Sequence, residues 1–324
     1  MHLTPRTNGI FAGIILLSNI GTCRSAVTLD ALGLYLRKHG YGGAQLVHIG
    51  NFYHLPIQSN GEPGNLVIDT GSPSTLIFRS SLKRLALTES KTKAPVRGAF
   101  GAGRDVYGLT TIRALTTGNC TLTNVPVAVV TGGVDNPFSH VNSNGVLGLR
   151  ELIKFGAVLD LPNRLVYLRP SRPSGNVGAE IKSILLRLGY APVPLSITDF
   201  HLRIAGAVNE IPCYFLVDTG AYLTALDSNF ASRAKIQVIP TRLVAQGLGA
   251  SSPSRVGIGI LPSLRIGNYE LRRASASIVH LDPRMVGRGS RSEVAGLIGI
   301  EYLAMNSAIF DFITGTMYLR PHSH

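Results

Sequence analysis

Apolar positions along this chain fall in short runs punctuated by Gly, Asn, Asp and Pro, the pattern of strands joined by turns. "NLVIDTG" (65–71) and "YFLVDTG" (214–220) are dense in β-branched and aromatic residues, and each stops at an Asp-Thr-Gly turn. "VPVAVV" (125–130) and "ASASIV" (274–279) read as strands too, as do "RLVYLRP" (164–170) and "TMYLRP" (316–321). Gly118-Asn119 and Gly267-Asn268 predict two-residue hairpin turns. Four segments switch to helical spacing: "LDALGLYLRKHG" (29–40), "LRELIKFG" (149–156), "AEIKSILLRLG" (179–189) and "IEYLAMNS" (300–307). The pattern is mainly β with a few short helices.

The elements recur in one order. A shift of 149 residues lays Gly40-Tyr41 on Gly189-Tyr190, Asp69 on Asp218 and Gly98 on Gly247, without a gap. Beyond a two-residue insertion, "GVLGLRELIKFGAVLDLPNRLVYLRP" from Gly145 matches "GLIGIEYLAMNSAIFDFITGTMYLRP" from Gly296. Internal repetition of this length predicts two similar units. Unit one spans 27–170 and unit two 179–324, and "SRPSGNVG" (171–178) between them reads as a linker.

Composition narrows the setting. Apolar residues make up 45% of the 324 positions, enough for a core in each unit. Lys plus Arg outnumber Asp plus Glu by 31 to 18, a formal charge of +13. The basic residues are scattered, no Trp is present, and no Lys/Arg block interleaves with aromatics, so we read a basic surface and expect no nucleic-acid site. Residues 1–26 have a basic position at Arg6, an apolar run over 9–23 and a small-residue exit. That layout predicts a secretory signal cleaved before Ala26, or an N-terminal anchor if it stays, with lipidation of Cys23 as a weaker variant. The protein is then exported, periplasmic or secreted, and meets a membrane only through this segment. Cys120 and Cys213 stand in apolar strand contexts in different halves and predict buried free thiols, not a disulfide framework.

The candidate chemistry sits in the repeated turns. A carboxylate at the end of an apolar strand has a fixed direction, and the Gly two residues on permits close backbone approach. The Thr between them can lock the turn through backbone hydrogen bonds. One such Asp is an ordinary turn residue. Two, on symmetry-related units, can meet at the shared interface. Carboxyls about 3 Å apart cannot both ionise, so they share a proton and titrate as a pair. One then serves as base and one as acid, which suffices to add water to an amide without metal or cofactor.

"DTGS" at 69–72 and "DTGA" at 218–221 resemble the two active-site signatures of aspartic proteases. "GVLGL" and "GLIGI" downstream resemble the apolar-apolar-Gly segment beside each active-site turn, and the short helix and "YLRP" close resemble a retropepsin-like lobe. The chain departs from the pepsin-like pattern in its shorter interval between the aspartates and its lack of Trp. The resemblance implies two retropepsin-like lobes fused in one chain, a monomer with a pseudo-twofold axis and an active site between the lobes. It implies Asp69 and Asp218 as catalytic dyad, with Thr70 and Thr219 cross-linking the turns and Gly71 and Gly220 allowing approach to the dyad. Ser72 is expected to hydrogen-bond the outer oxygen of Asp69, which Ala221 cannot do for Asp218. Gly98, Gly101 and Gly103, and Gly247 and Gly249, fall where such lobes carry substrate-covering flaps.

Other chemistries lack their residues. No His-Glu-x-x-His, Cys-x-x-Cys, Gly-x-Ser-x-Gly or phosphate loop occurs, so no metal or other cofactor is expected. Asp160 and Asp311 also repeat, but they precede closing strands and read as turn-satisfying groups. Asn119-Cys120-Thr121 fits a glycosylation acceptor, and the same hairpin turn explains it. The sequence thus predicts an aspartic endopeptidase, a hydrolase acting on extended protein or peptide substrates. The alternatives are a peptide-binding protein of the same fold with weak or no turnover, and an acid-ligand or nucleic-acid binder drawn by the positive charge.

Overall fold

The computed structural model describes residues 25–90, 94–98, 101–130, 142–171, 176–198, 200–245, 254–286 and 293–320. Two β lobes follow one another along the chain, each built on the repeat seen in the sequence. In lobe one, the strand Glu62–Asp69 pairs in parallel with Gly145–Gly148, which pairs antiparallel with Leu76–Phe78. Lobe two repeats the thread, with Ile211–Val217 parallel to Val294–Ile298 and the latter antiparallel to Ala225–Asp227. The long strands Gly101–Thr117 and Cys120–Val130 form a hairpin in lobe one, matched by Ser254–Ile266 and Tyr269–Val279 in lobe two. Both hairpins turn at the predicted Gly-Asn pairs, and Gly118 (φ +49°) and Gly267 (φ +56°) take the left-handed backbone that the tight turn demands. Gly101–Thr117 also pairs back onto Phe52–Ser59, and Ser254–Ile266 onto His201–Val208.

The lobes are joined by a shared ladder of six strands, three from each unit. Gly42–Gln45, Leu165–Leu168 and Val158–Asp160 come from unit one. Ile309–Asp311, Thr316–Leu319 and Ala191–Thr198 complete it from unit two. At its centre Val158–Asp160 pairs antiparallel with Ile309–Asp311, with Leu159 opposite Phe310, so the pseudo-twofold axis runs between these two short strands. Two helices, Ser25–Lys38 and Val177–Arg187, pack against the ladder. Leu32 and Leu36 from one and Val177, Ile181 and Leu185 from the other are buried with Val158, Tyr167, Ile309 and Tyr318 of the strands. Each fully buried Leu or Ile here contributes about 1.5–3 kcal/mol relative to exposure. The second helix begins at Val177, two residues inside the stretch read as linker, because the Val177 side chain belongs to this buried cluster.

Asp160 and Asp311 satisfy turns, as the sequence suggests. Asp160 accepts from the backbone and side-chain nitrogens of Asn163 (3.1 and 2.7 Å), and Asp311 accepts from Ile313 N (2.9 Å) and Thr314 Oγ1 (2.7 Å). Cys120 and Cys213 are buried free thiols, pushed up by burial to about 11 and about 12. Among the described residues, two helices escape the helical-spacing pattern, Ser228–Arg233 and Pro283–Val286. The first does carry a readable signal: Asp227 caps it by accepting from the N–H groups of Asn229 and Phe230.

Candidate active site

Each Asp-Thr-Gly turn leaves the end of an apolar strand that is hydrogen-bonded on both sides. Val67 and Ile68 are buried, as are Leu216 and Val217, so the strand cannot rotate and the following carboxyl has one direction. Asp69 lies opposite Gly148, and Asp218 N donates to Ile298 O (3.0 Å).

The turns then lock onto one another. Thr70 N donates to Thr219 Oγ1 (3.0 Å) and Thr219 N donates to Thr70 Oγ1 (3.0 Å). The same hydroxyls donate across the interface, Thr70 Oγ1 to Val217 O (2.7 Å) and Thr219 Oγ1 to Ile68 O (2.8 Å). Both threonines are buried, so four reciprocal bonds form away from competing water. Serving as both donor and acceptor is something a hydroxyl of this size can do and a Val methyl cannot.

This cross-link brings the aspartates together. A Cβ at Gly71 would collide with the Asp218 carboxyl, and one at Gly220 with the Asp69 carboxyl. Each glycine therefore admits the opposite unit's acid. Asp69 Oδ1 accepts from Gly71 N (2.9 Å) and Ser72 N (3.0 Å), and Asp218 Oδ1 accepts from Gly220 N (2.9 Å). Each carboxyl thus lies beside the turn that carries the other. Both residues keep some surface open to solvent, while protein atoms crowd their carboxyls on the remaining sides. Burial, then the neighbouring Asp218 charge, holds Asp69 well above the usual carboxylate range. Burial raises Asp218 as well, partly offset by N–H donors led by Gly220. The pair is thus arranged to hold one proton between two acids.

The sequence reading of Ser72 needs correction. Its hydroxyl donates to Ser74 O (2.8 Å), and it meets Asp69 through its backbone N–H. The turn curls so that the hydroxyl reaches the carbonyl two residues along the chain. Ala221 can supply the same kind of backbone bond, so the two turns are more alike at this position than Ser against Ala suggests. Gly98 and Gly101 face each other across the hairpin of Ala94–Gly98 and Gly101–Thr117, with Gly103 further along the return strand. Gly247 and Gly249 lie outside the described residues, between the paired strands Val238–Ala245 and Ser254–Ile266.

A second pair of acids, absent from the sequence reading, straps each turn to the helix that follows the Gly-apolar-apolar-Gly strand. In unit one, Glu151 Oε2 accepts from Thr75 N (2.8 Å) and Thr75 Oγ1 (2.7 Å). Thr75 Oγ1 accepts from Gly148 N (3.2 Å), and Arg150 Nε holds the other carboxylate oxygen, Glu151 Oε1 (2.7 Å). In unit two, Glu301 Oε1 accepts from Thr224 N (2.5 Å), and Thr224 Oγ1 accepts from Gly299 N (3.0 Å). Glu301 Oε2 is buried with no partner among the described residues. The repeat hides this pair, because direct alignment sets Glu301 on Arg150 and Glu151 on Tyr302. Positions offset by one in the first turn of the helix reach back to repeat-equivalent threonines, Thr75 and Thr224.

The aspartyl protease family matches two regions of the chain, residues 55–150 and 204–302, each carrying one Asp-Thr-Gly turn. Together they span more than half of the chain. No curated protein sequence matches. Among solved structures, the aspartic proteinase from Irpex lacteus superposes with a TM-score of 0.52 at 16% identity, over 88% of this chain and 98% of its own. A likeness at that identity speaks for fold alone. With two matched lobes and a shared interface, the chain belongs to the aspartyl protease family and has the two-lobed, mainly β fold of aspartic proteinases.

Proposed function

We propose that the protein is an aspartic endopeptidase in which Asp69 and Asp218 form the catalytic dyad. The observation that carries this reading is the mutual approach of the two carboxyls, each admitted by the other unit's glycine. With one proton between them, the ionised member draws a proton from a water lying between the carboxyls. The resulting hydroxide equivalent adds to the scissile carbonyl, and the protonated member donates to the carbonyl oxygen. The protonated member then gives its proton to the leaving nitrogen while the ionised member takes one from a hydroxyl of the tetrahedral gem-diol, so the carbon–nitrogen bond breaks to amine and carboxylic acid and the dyad again holds one proton. No metal and no covalent enzyme intermediate is required. The substrate is an extended polypeptide, which can add its backbone to neighbouring strands as an extra strand does. Thr70 and Thr219 keep the acids at working distance, and the backbone N–H groups of Gly71, Ser72, Gly220 and Ala221 orient them. The enzyme acts as a monomer, exported by residues 1–26 or held at a membrane through them.

The test is cleavage of an unfolded protein between about pH 3 and 7, the span over which coupled carboxyls titrate. Wild type should cut, and Asp69→Asn and Asp218→Asn should each lose cutting. Equal cutting by all three would remove these residues from the chemistry. Binding of unfolded peptide by all three with no cutting would make the protein a peptide binder of the same fold.

A further inference from the structure

The acids that strap the active-site turns have no part in the chemistry above, yet each ties its turn to its own lobe. In unit one the chain leaves Asp69, turns, and reaches Thr75, where Glu151 takes both the backbone N–H and the hydroxyl. Two further bonds tie the same turn to the same helix, Leu149 N to Ser72 O (2.8 Å) and Arg150 N to Pro73 O (3.1 Å). In unit two, Ile300 N donates to Ala221 O (2.9 Å), and Glu301 takes the Thr224 N–H. Both turns are thus held from two sides, by the opposite lobe through Thr70 and Thr219 and by their own lobe through a glutamate.

We propose that Glu151 and Glu301 are positioning residues that set the separation of the two dyad carboxyls by clamping Thr75 and Thr224. The clamps differ in strength. Glu151 is fully buried, and both of its oxygens are engaged, one by Thr75 and one by Arg150. Glu301 has one engaged oxygen and one buried oxygen without a donor among the described residues, and Glu301 itself stands where the repeat has Arg150. The turn bearing Asp218 is therefore the more weakly held, and loosening it moves one acid of the pair while the other stays.

Proton sharing depends steeply on carboxyl separation, so the inference is tested on the dyad itself. It rests on the proposed dyad, and its primary readout does not require turnover. Carboxyl 13C titration of the full chain measures the two coupled ionisation steps, which in a close pair lie about 3 pH units apart. Glu301→Ala should bring the steps closer by about one pH unit, and Glu301→Gln, which keeps an oxygen for Thr224 N, should restore the wild-type spacing. In peptide hydrolysis, kcat of Glu301→Ala should fall about 10- to 100-fold with KM held, as expected for a reacting group displaced by up to 1 Å. A folded Glu301→Ala with wild-type spacing of the two steps would overturn the inference. Should that variant not fold, Glu301→Asp provides the matching test, since it keeps the charge and draws the acceptor oxygen back from Thr224 N. It too must narrow the spacing, and an unchanged titration overturns the clamp. Narrowed spacing in a protein that cuts no peptide supports the clamp while removing the proposed protease activity.

Discussion

Replacing Thr70 by Val tests how the two lobes are held at the dyad. The side chains have the same shape, so packing is preserved and only the hydroxyl is lost. Two buried groups then lose their partners: the Val217 carbonyl, which accepts from Thr70 Oγ1 at 2.7 Å, and the Thr219 N–H, which donates to it at 3.0 Å. Neither can turn to water, because Val217 is 1% exposed and Thr219 2%. An unsatisfied buried donor or acceptor costs about 1–3 kcal/mol, so the pair costs about 2–6 kcal/mol. A folded protein has only about 5–15 kcal/mol to lose, so the effect is large. Thr70→Ser retains the hydroxyl and should cost about 1 kcal/mol or less, from one lost methyl. Equilibrium unfolding in urea measures the loss, with far-UV circular dichroism and intrinsic Tyr fluorescence as separate probes, the chain having no Trp. The Val variant should unfold at markedly lower urea and lose hydrolysis; the Ser variant should follow wild type. If Thr70→Val stays within about 0.5 kcal/mol of wild type, the reciprocal bonds do not hold the turns and the derivation of the site fails.

Ser72→Ala should leave the pH dependence of hydrolysis unchanged, because the hydroxyl bonds Ser74 O and the Asp69 contact is a backbone one; a moved acidic limb in the pH–rate profile would count against this. Asp69, Asp218, Asp160 and Asp311 are all raised in the fold, chiefly by burial. A carboxyl that binds its proton more tightly folded than unfolded adds stability below its unfolded value, and that stability is lost as pH rises through the folded value. Thermal melting should therefore be highest near or below about pH 4 as far as these groups decide, and fall towards neutral pH; a melting temperature that rises over that span would contradict their burial. The Tyr190 hydroxyl is buried with no partner among the described residues, so Tyr190→Phe should be neutral or stabilising by about 1 kcal/mol in urea unfolding. A clear loss would mean that the hydroxyl is engaged.

Much of this site is legible in the sequence because its signals are local. Asp69, Thr70 and Gly71 are adjacent, their copies lie 149 residues on, and an apolar strand precedes each. The glycines are legible for the same reason, although what they avoid, the other unit's carboxyl, becomes visible only when the lobes face each other. The direction of the Ser72 hydroxyl is not legible, because residue type does not say which way a turn curls, and Ser74 O competes for the same proton. The Glu151 and Glu301 clamps escaped because the repeat is conserved in space and offset by one in sequence. The central ladder, with Leu159 opposite Phe310, joins strands more than a hundred residues apart that carry no local sign of their pairing. The helix Ser228–Arg233 was available from Asp227 as a cap, but it is too short for apolar spacing to mark it.

The claim beneath all of this is that Asp69 and Asp218 hold one proton as a pair. Site-resolved 13C titration of their carboxyls in the wild-type chain, beside Asp218→Asn, tests it most directly. Wild type should show two separated steps, one of them well above the ordinary carboxylate value of about 4, and the variant a single step for Asp69, lowered by loss of the neighbouring charge. Two independent titrations near the ordinary value, unaffected by the substitution, would contradict it.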